Sequence, residues 1–378
     1  MKAVILQVLP ELESGGVERG TVEIVKALSD KGYTAIVASA GGKLTSQIEK
    51  LGGKNITLPL DSKNPLVIYN NIRRLVKVIK QHKVDIVHAR SRAPAWSAYF
   101  ACKQTGCHFI TTVHGPYDIS GRLKKYYNSV MVRGERVIAV SKFIRDYITS
   151  NYTIDEKKVT VIHRGADLSH FDKSAINKQR ILHTAEELKI EHSKPIILLP
   201  GRITSWKGHE FLLEALVKID KDKYCCIFVG KTDKHLDYLL RLNKKISELG
   251  LSENVKIINH IDDMPTLYSL SDIVISSSML PEAFGRVAVE AQAMENLVIA
   301  TNHGGACETV IDGKTGWLVK PGDVDQLARL LNKLLNLSAE EKRLVTSQAK
   351  EHISNNFSLV SMCDKTIEIY NQILQKKI

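Results

Sequence analysis

Short runs of β-branched and aliphatic residues alternate along this chain with longer stretches whose apolar positions recur every three or four residues. In the first half the compact runs are 3–8, 34–39, 56–60, 85–88, 109–113, 137–140 and 159–162. In the second they are 196–200, 225–229, 255–258, 273–275 and 298–301. Each is short enough for a strand and continuous enough to be covered on both faces. The stretches between them, such as 17–31 and 70–81, carry the period of amphipathic helices. This alternation predicts an α/β protein with parallel, doubly wound sheets. One polar stretch, 167–194, shows no sustained strand pattern and marks a junction. The reading is therefore a first domain over 1–170, a linker over 171–194 and a second domain over 195–357. A terminal segment, 358–378, repeats Leu359, Met362, Ile367, Tyr370 and Ile373 at helical spacing and predicts a docked helix.

Composition narrows the classes. With 378 residues and 44% apolar content the chain is long enough for two domains, each with its own core. The six cysteines show no Cys-x-x-Cys spacing, which suits buried thiols in a reducing compartment and gives no metal site. No apolar run approaches a membrane span, and the N-terminal run is too short for a secretory signal. The expectation is a cytoplasmic protein. Charge adds an asymmetry: residues 1–170 hold 26 Lys and Arg against 14 Asp and Glu, the chain's entire excess of +12, while residues 171–378 hold 27 of each. Two clusters stand out, Arg73, Arg74, Lys77 and Lys80 at helical spacing, and Arg122, Lys124 and Lys125 followed by two tyrosines. Each can be a solvated helix face; together, in the half that carries the excess, they suggest contact with an anionic acceptor or a peripheral seat on anionic lipid. Nucleic acid competes for that role, but no recognition motif supports it.

Doubly wound sheets bind ligands outside the carboxyl ends of their strands. Several distinctive groups follow predicted strands: Gly15-Gly16, His114-Gly115, Gly201-Arg202 with Lys207-Gly208, and Glu282 in Pro-Glu-Ala-Phe-Gly-Arg-Val-Ala-Val-Glu. In the last motif Gly285 falls at a helix start, where backbone N–H groups and the helix dipole suit an anion, and Glu290 lies about one turn in. A loop carboxylate, a glycine turn and a helix carboxylate could share one pocket for a polyhydroxylated, phosphate-bearing ligand. Taken alone, two such glutamates are ordinarily solvated side chains, one on a helix and one on a turn.

The segment 276–319 resembles the C-terminal signature of the retaining glycosyltransferases of family 4, which have the GT-B fold. It carries Glu282, Phe284-Gly285, Glu290-Ala291, an apolar strand, Gly304-Gly305, Glu308, Asp312-Gly313, Gly316 and Leu318-Val319 in the family's order. The upstream glycine pair, Thr112-Val113-His114-Gly115 and the Gly201–Gly208 loop extend the resemblance over nearly the whole chain. It implies two facing Rossmann-like domains, with the last helix crossing back to the first.

The resemblance also implies roles. Arg202 and Lys207 would contact the donor diphosphate, where negative charge grows as the sugar leaves; as loop cations both are expected to be exposed and to matter little for folding. Glu282 would hold sugar hydroxyls, Phe284 and Gly285 would supply backbone contacts, and Glu290 would accept from the ribose diol. Gly15 and Gly16 would let backbone approach the donor, and His114 would stand near the transferred sugar. Retention in this family is read as front-face substitution, without a metal and with no cofactor beyond the nucleotide-diphosphate sugar, the donor substrate. The acceptor implied is a lipid-linked or cell-envelope glycan, lipopolysaccharide core first, with the enzyme peripheral at the inner face of the cytoplasmic membrane. Arg164-Gly165-Ala166-Asp167 departs from the family's usual Asn-Gly-Val-Asp, and Glu295 and Leu297 replace a usual Gly and Pro. The subfamily and donor sugar therefore stay open. A nucleotide-sugar epimerase or soluble sugar-chain synthase on the same fold, or a non-catalytic nucleic-acid-binding protein, are the competing readings.

Overall fold

A computed structural model describes residues 2–13, 15–190, 194–232 and 236–375. The chain divides into two compact units, residues 1–163 with 360–378, and residues 164–359.

Among the described residues, the first unit is built on seven strands: β1 (Val4–Val8), β2 (Thr34–Ser39), β3 (Lys54–Thr57), β4 (Ile86–Ala89), β5 (His108–Val113), β6 (Arg136–Ala139) and β7 (Val159–Val161). They pair in the order β3-β2-β1-β4-β5-β6-β7, all in parallel. The order reverses direction between β1 and β4, the point at which such sheets open a crevice for ligands. The sheet interior is apolar except where polar atoms find partners. Gln7, fully buried on β1, donates to the Thr21 carbonyl at 3.2 Å and accepts from Arg90 Nη1 at 3.2 Å. Helices are started by local chemistry. Asn64 accepts from the Leu66 N–H ahead of the Pro65–His82 helix, with a proline in its first turn, and left-handed Lys83 ends it.

The Leu359–Gln375 helix belongs to this unit from Val360 onward, burying Met362, Ile367, Ile369, Tyr370 and Ile373. The Tyr33 hydroxyl donates to Asn371 Oδ1 at 2.6 Å, and the Tyr370 hydroxyl lies 2.7 Å from His88 Nδ1. The other ring nitrogen of His88 is 2.6 Å from the Thr112 hydroxyl, and burial holds this imidazole neutral by lowering its pKa well below the usual value.

The second unit carries β8 (Ile196–Pro200), β9 (Cys225–Val229), β10 (Val255–Ile258), β11 (Ile273–Ser276), β12 (Leu297–Thr301) and β13 (Trp317–Val319) in the order β10-β9-β8-β11-β12-β13, again parallel. Its switch lies between β8 and β11, and cores fill both faces of the sheet. These two sheets are the doubly wound α/β architecture of the GT-B fold. The stretch 171–194 is not a free link. It holds the Lys178–Glu187 helix, and Phe171, Ala185 and Ile190 bury their side chains within the second unit. Its polar surface hid those three anchors, so the unit boundary falls at residue 164, earlier than the sequence suggested; residues 191–193 lie outside the described set.

Candidate active site

In the second unit the two strands flanking the switch point, β8 and β11, each end in a loop, and the loops are tied together. The Met279 N–H donates to the Trp206 carbonyl at 2.7 Å, and the Ser277 hydroxyl donates to the Lys207 carbonyl at 3.0 Å. Gly208 makes this approach possible. Its φ is +74°, and a Cβ there would lie 2.0 Å from the Ser277 carbonyl oxygen. The resulting geometry delivers Lys207 Nζ to Glu282 Oε1 at 2.6 Å, with the two side chains 13% and 15% exposed. The Ser278 hydroxyl also donates to the Glu282 carboxylate. Burial alone would raise the Glu282 pKa. The Lys207 charge, with hydrogen bonds from Lys207 and Ser278, outweighs that penalty and holds the carboxyl below its ordinary value. Glu282 is thus an anion at neutral pH in a largely dry position.

The backbone after Glu282 is equally constrained. The Gly305 N–H donates to the Glu282 carbonyl at 2.8 Å, and a Cβ on left-handed Gly304 would lie 2.5 Å from that oxygen. His303 Nε2 lies 2.7 Å from the Ser278 carbonyl, and the Thr301 hydroxyl donates to the same oxygen at 2.8 Å. The glycine pair that the sequence placed in the motif is therefore the floor beneath the Glu282–Phe284 turn. Phe284 is buried and packs edge-on against Phe357 at 5.8 Å, so its side chain is a core anchor and only its backbone is available to a ligand.

Left-handed Gly285 precedes the Arg286–Ala293 helix, as the sequence predicted. Helix N-termini gather N–H groups that lack an intrahelical acceptor, and these favour an anion. Glu290 sits one turn in, 12% exposed, accepting from Arg286 Nη2 at 2.7 Å and from the Tyr268 hydroxyl at 3.2 Å. Its carboxylate is oriented by both partners, neither of which the sequence reading identified. Arg286 was visible as the i−4 neighbour of Glu290; Tyr268, from a separate helix, had no local signal. Arg202 is exposed and lies over the Trp206 ring, its guanidinium 5.9 Å from the centroid, while Lys207 Nζ is 4.3 Å from the same ring. Trp206 thus separates two cations with different environments, one solvated and one paired. The expectation that both were exposed fails for Lys207, because a loop sequence does not reveal the acidic partner 75 positions away.

In the first unit, Gly15 leads into the Gly16–Asp30 helix and His114 follows β5, both at carboxyl ends of strands. A cavity of about 740 Å³ opens at the β1/β4 switch, lined by Glu11 after β1, Asp61 and Lys63 after β3, Arg92 after β4, and Asp118, Lys124 and Tyr127 after β5. Arg92 Nη1 donates to Asn128 Oδ1 at 3.1 Å, and its guanidinium lies 4.4 Å from the Tyr117 ring centroid. Lys124 pairs with Asp118 at 2.5 Å. Sequence reasoning missed this cavity. Its wall residues come from the loops after β1 and β3 and from the loop and helix after each of β4 and β5, so no single segment holds more than a fragment. Arg73, Arg74, Lys77 and Lys80 are exposed on the Pro65–His82 helix, and Arg122, Lys124 and Lys125 on the Arg122–Asn128 helix. Arg74 donates to Asn71 at 2.8 Å, and Lys124 is engaged by Asp118.

Comparison with known proteins agrees with both units. Residues 14–170 match the family model described as Glycosyltransferase Family 4, and residues 183–352 match that of Glycosyl transferases group 1. A glycosyltransferase of known structure from Rickettsia africae ESF-5 is 44% identical, covering 99% of each chain with a TM-score of 0.92. The capsular polysaccharide biosynthesis glycosyltransferase CapM of Staphylococcus aureus is 24% identical over 376 residues, 95% of this chain and 94% of its own. Anabaena HepE, solved with UDP-glucose, shares the fold at 22% identity and a TM-score of 0.85, over 98% of this chain and 99% of its own. With the two parallel sheets and full-length likeness to the Rickettsia enzyme, the chain belongs to the glycosyltransferases of family 4 with the GT-B fold.

Proposed function

We propose that this enzyme moves a hexose from a nucleoside-diphosphate sugar to a lipid-linked or cell-envelope glycan, with retention at the anomeric carbon. The observation that carries the donor assignment is the buried Lys207–Glu282 pair at the ends of β8 and β11, at the sheet's switch point. In this reading Glu282 accepts hydrogen bonds from sugar hydroxyls. Lys207 and Arg202 stabilise the charge that builds on the departing diphosphate, the interaction that most lowers such barriers. The backbone at Phe284 and Gly285 meets sugar and phosphate, and Glu290, oriented by Arg286 and Tyr268, accepts from the ribose diol. Gly15 and Gly16 present backbone and His114 an imidazole to the transferring sugar. Orientation and electrostatics do the work without a covalent intermediate, and the donor is a substrate rather than a resident cofactor.

The acceptor assignment draws on the excess positive charge of residues 1–170 and on CapM, whose name places it in capsular polysaccharide biosynthesis. HepE, solved with UDP-glucose, makes a uridine donor the first to try. A lipopolysaccharide core is the first acceptor to try, met at the inner face of the cytoplasmic membrane. No described helix is long and apolar enough to cross that membrane, so the contact proposed is peripheral. The test is a thermal-shift panel of UDP-, GDP- and ADP-sugars followed by incubation of the stabilising donor, radiolabelled, with envelope glycolipid. A ligand that binds the folded state raises the melting point. The expected result is one base strongly preferred and label moved to glycolipid. Absence of any shift and of any donor turnover would overturn the assignment.

A further inference from the structure

The cations that line the switch-point cavity of the first unit are not equivalent. Lys124 is met by Asp118 at 2.5 Å, so its charge is already balanced within the wall. Arg92 is held differently. It opens the Arg92–Thr105 helix, three residues past β4, and the contacts that fix its guanidinium are neutral. Nη1 donates to Asn128 Oδ1 at 3.1 Å, and the guanidinium lies 4.4 Å from the Tyr117 ring centroid. Among the described residues it forms no ion pair. Arg145, Arg180 and Arg286, by contrast, each meet a carboxylate.

The partners of Arg92 are themselves fixed. Asn128 is 2% exposed, and its Nδ2 donates to the Asp118 carbonyl at 2.9 Å. The Tyr147 hydroxyl accepts from the Tyr117 N–H at 3.1 Å and donates to the Tyr117 carbonyl at 2.7 Å. The guanidinium is therefore oriented but not neutralised, and both it and Asn128 belong to the cavity wall. A planar fork of N–H donors in that state matches a carboxylate or a phosphate, which it can grip through two parallel bonds. Formal charges in the wall otherwise cancel: Glu11, Asp61 and Asp118 stand against Lys63, Arg92 and Lys124. A diffuse positive field is thus not what would select a ligand here; the fixed fork is. Glu11 and Asp61 are exposed and able to accept from sugar hydroxyls, and about 740 Å³ is an ordinary volume for a small-ligand site.

We propose that Arg92 selects an acidic sugar: the glycan that occupies this cavity carries a carboxylate or a phosphate, and the guanidinium binds that group edge-on. A neutral sugar leaves the fork without its anion, and a site built to bond a group discriminates against analogues that lack it. Arg92 would thereby sort acceptors by charge and set the register in which the acceptor lies. That purpose rests on the transferase reading given above; the acidic-sugar site itself does not.

Calorimetric titration of the full chain with millimolar glucuronic acid, glucose 6-phosphate, glucose and inorganic phosphate, at physiological salt, tests it. At least one of the two acidic sugars is expected to bind about ten-fold or more tighter than glucose, as a charged, paired hydrogen bond implies. Which of them is preferred tells a carboxylate from a phosphate. Arg92→Gln should lose that advantage while keeping the donor-induced thermal shift. Arg92→Lys keeps the charge without the fork and should recover only part of it. If Arg92→Gln does not fold, the weakened preference of Arg92→Lys carries the test. Acidic sugars bound no better than glucose would overturn the assignment. So would a wild-type preference in either folded variant, or loss of the donor shift along with it, which marks damage to the fold. Inorganic phosphate bound as tightly as glucose 6-phosphate would overturn it too, since a bare anion site reads no sugar. Absence of a donor shift in the wild type would instead remove the transferase reading and leave the acidic-sugar site standing.

Discussion

Each unit carries a lysine–carboxylate pair beyond the carboxyl ends of its strands, and the two differ almost only in surroundings. Lys207–Glu282 in the second unit and Lys124–Asp118 in the first have nearly equal separations, 2.6 Å and 2.5 Å. The side chains of the first pair are 13% and 15% exposed, while those of the second are both 59% exposed. Water screens the exposed pair and competes for its hydrogen bonds, so its net contribution to stability is small. The buried pair has given up its hydration, and each ion now depends on the other. Distance alone therefore says little about an ion pair. The buried one is an electrostatic feature already formed in the unliganded fold; the exposed one is a clasp on the wall of an open cavity.

The largest expected effect tests that contrast directly. Lys207→Ala removes the cation proposed at the diphosphate and strands Glu282 as an uncompensated, largely buried anion. Turnover should fall about 10²- to 10³-fold, and urea unfolding should show a loss of about 3 kcal/mol, at the low end for a broken buried pair. Lys124→Ala should leave unfolding within about 0.5 kcal/mol of the wild type. If the two substitutions cost equal stability, burial is not what separates the pairs. Stability loss at Lys207 blurs its catalytic reading, and exposed Arg202 resolves it: Arg202→Ala should cut turnover with stability nearly unchanged.

A smaller effect probes the carboxylate further along the same motif. Glu290 is held by Arg286 and Tyr268, which leaves its orientation fixed before any nucleotide arrives. Glu290→Gln keeps the shape and removes the charge, so nucleoside-diphosphate affinity should fall about ten-fold, as losing a charged acceptor from a hydrogen-bonded diol predicts. Isothermal titration with the preferred diphosphate measures it, and an unchanged affinity would move the ribose elsewhere.

The same contrast explains what the sequence disclosed. The strand–helix alternation gave both parallel sheets, because strands buried on two faces must be continuously apolar. The Glu282–Glu290 motif was legible because strand end, turn and helix follow one another within a few residues. Errors fall where tertiary contacts decide. The apolar run 56–60 predicts a strand, yet β3 is Lys54–Thr57; Pro59 cannot donate to a ladder, and Leu60 turns into the core. β13 is only three residues long and raised no signal of its own. The ionic partner of Lys207, the Tyr268 contact to Glu290 and the switch-point cavity are each assembled from distant segments, as are Phe171, Ala185 and Ile190 docking under a polar surface. No local pattern encodes such meetings.

The smallest effect is a pH dependence, and its sign follows from the direction of the Glu282 shift. The folded state holds this carboxyl below its ordinary pKa, so ionised Glu282 adds stability that is fully present above the unfolded value of about 4.3. That contribution is lost as pH falls through the lower folded value, when the carboxylate takes a proton in both states. Glu282→Gln never has it. The gap in melting temperature between wild type and Glu282→Gln should be constant above about pH 5 and close progressively below about pH 4. Asp118 is also held low, first by its hydrogen bond from Lys124, but its side chain is mostly exposed to water. Its counterpart, Asp118→Asn, should therefore show a gap that added salt erases, whereas the Glu282 gap should persist at the same ionic strength. A Glu282 gap that salt abolishes would mean water reaches the pair, and the distinction drawn between the two units would fail.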